Sequence, residues 1–196
     1  MRVLKLNCRD YRNIENLELI PDSGMNVICG ENAQGKTNIL EAIWLFTGAK
    51  SFRGAKDQNF IRFSKEKAEL NLLFEAEGIE KTAKIEVQEK RTAYLQENKL
   101  KSPSNLAGKF NAVVFSPQDL RIVTDGPNIR RKFLDTAIGQ SKPAYIEILK
   151  NYMRAVTQRN KIIKDIRNYP EINDILDSFE EKIAEKGEKI IKKANE

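Results

Sequence analysis

Histidine is absent from the 196 residues. That removes serine–histidine and cysteine–histidine nucleophiles, histidine-bound zinc and any imidazole acid or base. Cysteine occurs twice, at Cys8 and Cys29, far apart and at no metal-ligand spacing. Both stand in apolar stretches and read as reduced core residues of a cytosolic protein. No apolar run approaches the roughly 20 residues of a membrane helix. The opening MRVLKLNCRDY lacks the apolar stretch of a secretory signal. The expectation is a cytoplasmic chain with no membrane partner. What is present in quantity is charge, with 34 Lys or Arg against 28 Asp or Glu and a formal net of +6. With 40% apolar and 32% charged residues the chain reads as globular and soluble. Its length suits one large domain, or a domain with an appendage.

Hydrophobic patterning divides the chain near residue 120, into an α/β lobe over 1–120 and a helical arm over 121–196. In the lobe, Val3–Cys8, Leu17–Ile20 and Met25–Cys29 read as strands, with Pro21-Asp22-Ser23-Gly24 turning between the last two. A helix carrying Ile39, Leu40, Ile43, Leu45 and Phe46 follows, and Gly48 ends it. Ala68–Ala76, Thr82–Glu89 and Thr92–Gln96 alternate as an antiparallel meander with one wet face. Glu77-Gly78, Lys90-Arg91 and Asn98-Lys99 are its expected turns. Asn111–Phe115 reads as a strand buried on both faces. In the arm, Tyr145, Leu149, Tyr152, Val156, Arg159, Ile163 and Ile166 step by four and three. So do Ile172, Leu176, Phe179, Ile183, Lys186 and Ile190. With Asn168-Tyr169-Pro170 between them, the two stripes predict an antiparallel hairpin, its first helix capped by Ser141 and opened by Pro143. The second stripe runs uncapped to Glu196, the pattern expected of a piece of a longer protein.

The segment Gly30-Glu31-Asn32-Ala33-Gln34-Gly35-Lys36-Thr37 fits G-x-x-x-x-G-K-[ST] between an apolar run and a helix that opens at Lys36. The glycines allow backbone angles and close approach that a side chain forbids. Loop amides and the helix N-terminus converge on phosphate oxygens. Lys36 supplies a point charge to the terminal phosphates. The Thr37 hydroxyl suits Mg²⁺, which takes hard oxygen ligands. The pattern points to ATP with Mg²⁺.

The loop and its continuation, GENAQGKTNILEAIWLFTG, resemble the RecF family of bacterial recombination-repair ATPases, within the SMC-like branch of ABC ATPases. Asn38 and Leu40-Glu41-Ala42-Ile43 are typical of that branch. Lys50-Ser51-Phe52-Arg53, the run from Val113 to Leu120, Asp125-Gly126-Pro127 and Arg130 to Asp135 resemble RecF specifically. The resemblance implies an ABC-type head lobe, a mixed sheet plus antiparallel meander, followed by a helical hairpin. It implies Arg12 and Asn13, in the turn Cys8 to Asn13, as contacts to the nucleotide's ribose or phosphates. Gln118 is implied as a Mg²⁺ or water contact, with Asp119 as its alternate. The family role it implies is ATP-driven homodimerisation, binding of double- and single-stranded DNA, engagement of RecR and loading of RecA at single-strand gaps.

No LSGGQ-like segment and no apolar strand ending in paired acids occurs in the sequence, so neither a signature motif nor a Walker B acid is found. The chain is therefore expected to hydrolyse ATP negligibly by itself. Residues 127–169 hold ten Lys or Arg and three Asp or Glu, a local net of +7. Such a stripe neutralises DNA phosphates without reading sequence. Arg130, Arg131 and Lys132 are the first candidates, one of them expected to pair with Asp135. Lys150, Arg154 and Lys161, aligned on one helical face, form the rival patch. The alternative reading, a metabolic P-loop phosphotransferase, would require lid arginines and a substrate pocket where a meander and a hairpin stand.

Overall fold

A computed structural model describes residues 1–166 and 173–195. It resolves into two compact units, Met1–Asp125 and Gly126–Glu196.

The first unit is built on a six-stranded sheet in the order β2-β1-β3-β4-β5-β6. The strands are β1 Arg2–Tyr11, β2 Ile14–Leu19, β3 Ala68–Ala76, β4 Ile79–Val87, β5 Arg91–Leu95 and β6 Asn98–Lys99. Every pairing among them is antiparallel. The meander is as its alternation predicts. Ala68, Leu70, Leu72, Phe74 and Ala76 are buried while the residues between them are half-buried. Period two puts alternate side chains on one face, and that face meets helix α1, Lys36–Leu45. Ala42 and Leu45, with Phe46 beyond them, join Leu6, Leu70, Leu72 and Ile85 in one core cluster. Each large side chain so buried contributes about 1.5–3 kcal/mol. Two-residue turns close the β3–β4 and β5–β6 hairpins, while Gln88-Glu89-Lys90 closes β4–β5 and the expected turn residue Arg91 instead opens β5. Glu77 and Gly78 both take positive φ (57° and 75°), the twist a tight antiparallel turn requires.

The second such turn is Gln96-Glu97, with φ 47° and 66°, and Asn98-Lys99 form the short β6 instead of the expected turn. Two expected strands do not form. Met25–Cys29 and Asn111–Phe115 carry no strand assignment, and Met25, Val27, Val113 and Phe115 are 91%, 79%, 96% and 80% exposed. Apolar content is not enough for a strand. Its amides need a neighbouring strand, and among the described residues these segments have none. Cys8 is buried as expected, but Cys29 lies in one of these unpaired segments and is exposed.

A short turn of helix, α2 (Arg121–Thr124), precedes the second unit, which holds α3 (Pro127–Ser141), α4 (Pro143–Ile166) and α5 (Asn173–Asn195). Lys142 Nζ reaches the Lys193 carbonyl, a Cβ on Gly187 would meet the Tyr152 ring, and Arg159 pairs with Glu180. Rising numbers on α4 against falling numbers on α5 make the hairpin antiparallel. Tyr145 and Ala155 are buried along the α4 seam, where Ile148 and Ile162 also turn inward, while Ile163 is 37% exposed. Leu149, Tyr152, Val156 and Arg159 of the predicted stripe are half-buried too, and the last three line one groove with Glu180, Ile183 and Ala184 of α5, so the inward face is the predicted stripe widened by Ile148, Ala155 and Ile162. Ser141 caps nothing on α4. It ends α3, and its hydroxyl donates to the Ala137 carbonyl, leaving Lys142 between the helices. The turn Asn168-Tyr169-Pro170 and Ile172 lie outside the described residues.

Candidate functional site

Residues 30–37 wrap the N-terminus of α1. Gly30, Ala33 and Gly35 take φ of 146°, 67° and 97°, a succession that turns the loop amides inward. Gly35 is the N-cap of α1 and no side chain caps the helix, so the first amides of the helix remain for a ligand. The Lys36 ammonium donates to the carbonyls of Gly30 and Glu31 at 2.7 and 2.6 Å, which lays it across the loop. Phosphate oxygens are stronger acceptors for that ammonium than neutral carbonyls. Thr37, exposed in the first turn, presents its residue to the same end of the helix. Among the described residues no group of three or more His, Cys, Asp or Glu could hold a metal. The single hydroxyl of Thr37 suits a cation carried in with phosphates and bound otherwise by phosphate and water. The loop fits a nucleoside triphosphate, with Thr37 as the residue that would hold its Mg²⁺.

The turn between β1 and β2 approaches this loop. Arg12 takes φ 52°, and its amide donates to the Phe60 carbonyl at 2.8 Å. Asn13 then points at the loop. Its Nδ2 donates to the Ala33 carbonyl at 2.9 Å, and its Oδ1 accepts from Asn38 Nδ2 at 2.8 Å. Arg53 completes the line by donating to Asn38 Oδ1 at 2.9 Å. Asn13 and Asn38 are thus brought to the phosphate loop.

The Arg12 side chain goes elsewhere. Its guanidinium lies over the Phe60 ring, 5.2 Å from the centroid, with Nη2 2.7 Å from Glu41 Oε2. The contact is an ion pair without an aligned hydrogen bond, and Nε is also buried without one. Glu41 is completely buried, and its carboxylate also accepts from the Ser51 and Tyr11 hydroxyls. Burial and the Glu41 charge push the Tyr11 phenol far above its ordinary value, so it stays a donor. Glu41, Ser51 and Arg53 entered the sequence analysis only within segments that carry the family resemblance, with no site role assigned to them. The signal for Glu41 is an acid in a short apolar helix beside two residues, Ala42 and Leu45, that are buried.

Gln118 lies in the one-turn helix Pro117–Leu120, and its side chain lies outside the described residues. The alternate, Asp119, is committed locally, accepting from the Ser116 amide and hydroxyl at 2.5 and 2.9 Å. Arg130, Arg131 and Lys132 are exposed on α3, and Arg131 donates to Asn128 at 2.8 Å. Asp135 accepts from the Tyr145 hydroxyl at 2.5 Å, so its principal partner is a tyrosine of α4 where the sequence suggested a basic neighbour. Lys150, Arg154 and Lys161 are exposed on α4.

A family model described as an AAA domain matches residues 5–196. The chain is 36% identical over 198 residues to the DNA replication and repair protein RecF of Agathobacter rectalis, covering 100% of this chain and 55% of that one. It is 35% identical to the RecF of Bacillus mycoides, covering 98% and 52%. A solved structure of the recombination mediator protein RecF with ATPrS, in the RecFOR pathway, aligns with a TM-score of 0.93 at 35% identity, over 98% of this chain and 53% of that one. A second RecF structure, with ATP, aligns equally well, with a TM-score of 0.93. The Smc head domain of Pyrococcus furiosus shares the fold at a TM-score of 0.51 and 17% identity. The chain spans about half the length of the curated relatives it matches.

Proposed function

The chain belongs to the AAA-domain family and corresponds to the N-terminal half of RecF, with an ABC- and SMC-like head fold; on that premise we propose that it is the phosphate-holding half of an ATP-dependent DNA-repair ATPase. One observation carries the reading. The loop Gly30–Thr37 opens α1 with uncapped amides, two glycines at positive φ and Lys36 across its mouth. Glu31, Asn32, Ala33 and Gln34 contribute backbone to the cradle, Gly30 and Gly35 its shape, and Asn13 and Asn38 fix its edge. Thr37 would hold Mg²⁺, which when bound would neutralise charge on the terminal phosphates. In the whole protein, ATP bound here drives homodimerisation. The dimer binds double- and single-stranded DNA, engages RecR and promotes RecA loading at gaps.

The test of the nucleotide site is Lys36→Ala. It removes the charge over the phosphates and leaves the core untouched, so unfolding without ligand should barely move while the stabilisation by Mg-ATP disappears. An undiminished shift in the variant would exclude the phosphate-loop reading. ADP release by the full-length protein with and without duplex separates a repair ATPase from a metabolic phosphotransferase, because only the first responds to DNA.

A further inference from the structure

Three segments distant in sequence meet at the carboxylate of Glu41. Arg12 comes from the β1–β2 turn, Ser51 from the loop after α1, and Glu41 from α1 itself. None of the three belongs to residues 30–37. From this geometry we propose that Glu41 is a positioning residue for the nucleotide, locking the β1–β2 turn and the 51–53 loop onto the helix that carries the phosphate loop. The proposal rests on the reading that residues 30–37 hold a nucleoside triphosphate.

The argument follows two spokes. The first runs through Arg12. Its guanidinium is held by Glu41 and Phe60, which fixes the turn so that the next residue, Asn13, reaches both Ala33 and Asn38. The second runs through Ser51. Its hydroxyl donates to Glu41 Oε1 and accepts from the Arg53 amide at 3.1 Å, which places the Arg53 guanidinium against Asn38 Oδ1. Both spokes end on Asn38, three residues before Glu41 and therefore on the same face of α1. Asn38 stands in the first turn of α1, where the phosphates would lie. One buried carboxylate thus sets two approaches to a single amide at the mouth of the site.

The energetics favour this reading over simple core cohesion. A buried ion pair stabilises a fold little better than apolar residues of the same volume. Glu41 sits among residues such as Ala42 and Leu45 that supply apolar packing already. Its partners are also specific. The two hydroxyls and one guanidinium occupy both carboxylate oxygens, which an apolar side chain could not orient.

The experiment compares Glu41→Gln, Ser51→Ala and Lys36→Ala, each measured for Mg-ATP affinity at a denaturant-free temperature well below its own unfolding midpoint. Side-chain amide resonances of Asn13 and Asn38 are followed in parallel. Glu41→Gln should weaken Mg-ATP about tenfold and Ser51→Ala about threefold, with both Asn amide pairs shifting before nucleotide is added. Asn38→Ala should add nothing further in the Glu41→Gln background, because the two act through one amide. If Glu41→Gln does not fold, Ser51→Ala alone decides the matter by the same readouts. Unchanged affinity and unchanged amide resonances in the variants, with binding lost in Lys36→Ala, would overturn the positioning role and leave the nucleotide site standing. Binding retained in Lys36→Ala as well would overturn both.

Discussion

Asn13 holds the phosphate loop at Ala33 and fills the space that a side chain on Gly35 would need. A Cβ on Gly35 would lie 2.9 Å from Asn13 Oδ1, and Gly35 already takes φ 97°. Two independent constraints therefore require glycine there. Gly35→Ala should lose about 1–3 kcal/mol to backbone strain and abolish Mg-ATP binding. Adding Asn13→Ala removes the clash and leaves the strained φ, so it should recover part of the stability in urea unfolding and none of the binding. Full recovery of stability in the double variant would show that the clash alone mattered.

Hydrolysis is the second expectation. Phosphoryl transfer needs a positioned water and charge stabilisation from several sides. On the proposed reading this chain offers Lys36 and Thr37 to the phosphates, and its sequence has no paired acids at the end of an apolar run. ADP production by the purified chain should stay at the background of Lys36→Ala. Turnover well above that background would place the water-activating residue within these 196 residues.

The cysteines give a third. Cys8 is 3% exposed, and burial pushes its thiol up to about 12. Cys29 is exposed. An Ellman titration of the native chain at pH 8 should therefore modify one thiol promptly, and Cys29→Ser should remove it. The second thiol should react only on unfolding. The sign for stability follows. The unfolded thiol ionises near 9.0 and the folded one near 12, so above pH 9 the unfolded state binds fewer protons. The Cys8 contribution is complete below pH 9 and is lost as pH rises toward 12, a decline that Cys8→Ala should lessen.

The parts of this fold that the sequence made legible are those where local pattern and local structure coincide. The strand alternation of Ala68–Ala76 and the loop Gly30–Thr37 are such cases, since period and turn chemistry are read within ten residues. The misread parts depend on partners far away in sequence. Met25–Cys29 and Val113–Phe115 have the composition of strands and no strand beside them among the described residues. Glu41 is legible in the sequence only as part of the run Leu40 to Ile43 that carries the resemblance, because its partners lie 29 and 10 residues distant, at Arg12 and Ser51. Arg12, singled out for the nucleotide, is held by that same unseen carboxylate.

DNA supplies the last test. Arg130, Arg131 and Lys132 are consecutive on α3, so they fan around the helix and cannot all face one row of phosphates. Arg131 already donates to Asn128, which turns it back toward the start of the helix. Lys150, Arg154 and Lys161 are spaced by four and seven on α4, so all three share one exposed face. That face lies away from the buried Tyr145 and Ala155 of the seam, and charge reversal there should leave the hairpin folded. Each phosphate contact removed should flatten the dependence of log affinity on log salt by about 0.9. Geometry therefore favours α4. Lys150→Glu with Arg154→Glu should weaken duplex binding for unrelated sequences and reduce the slope by about 2, while Arg130→Glu with Arg131→Glu should reduce it by about 1 or less. A larger loss of slope from the α3 pair would move the interface to α3. Unaltered affinity and slope in both pairs would make the basic stretch a solvated surface and assign DNA contact to other parts of the protein.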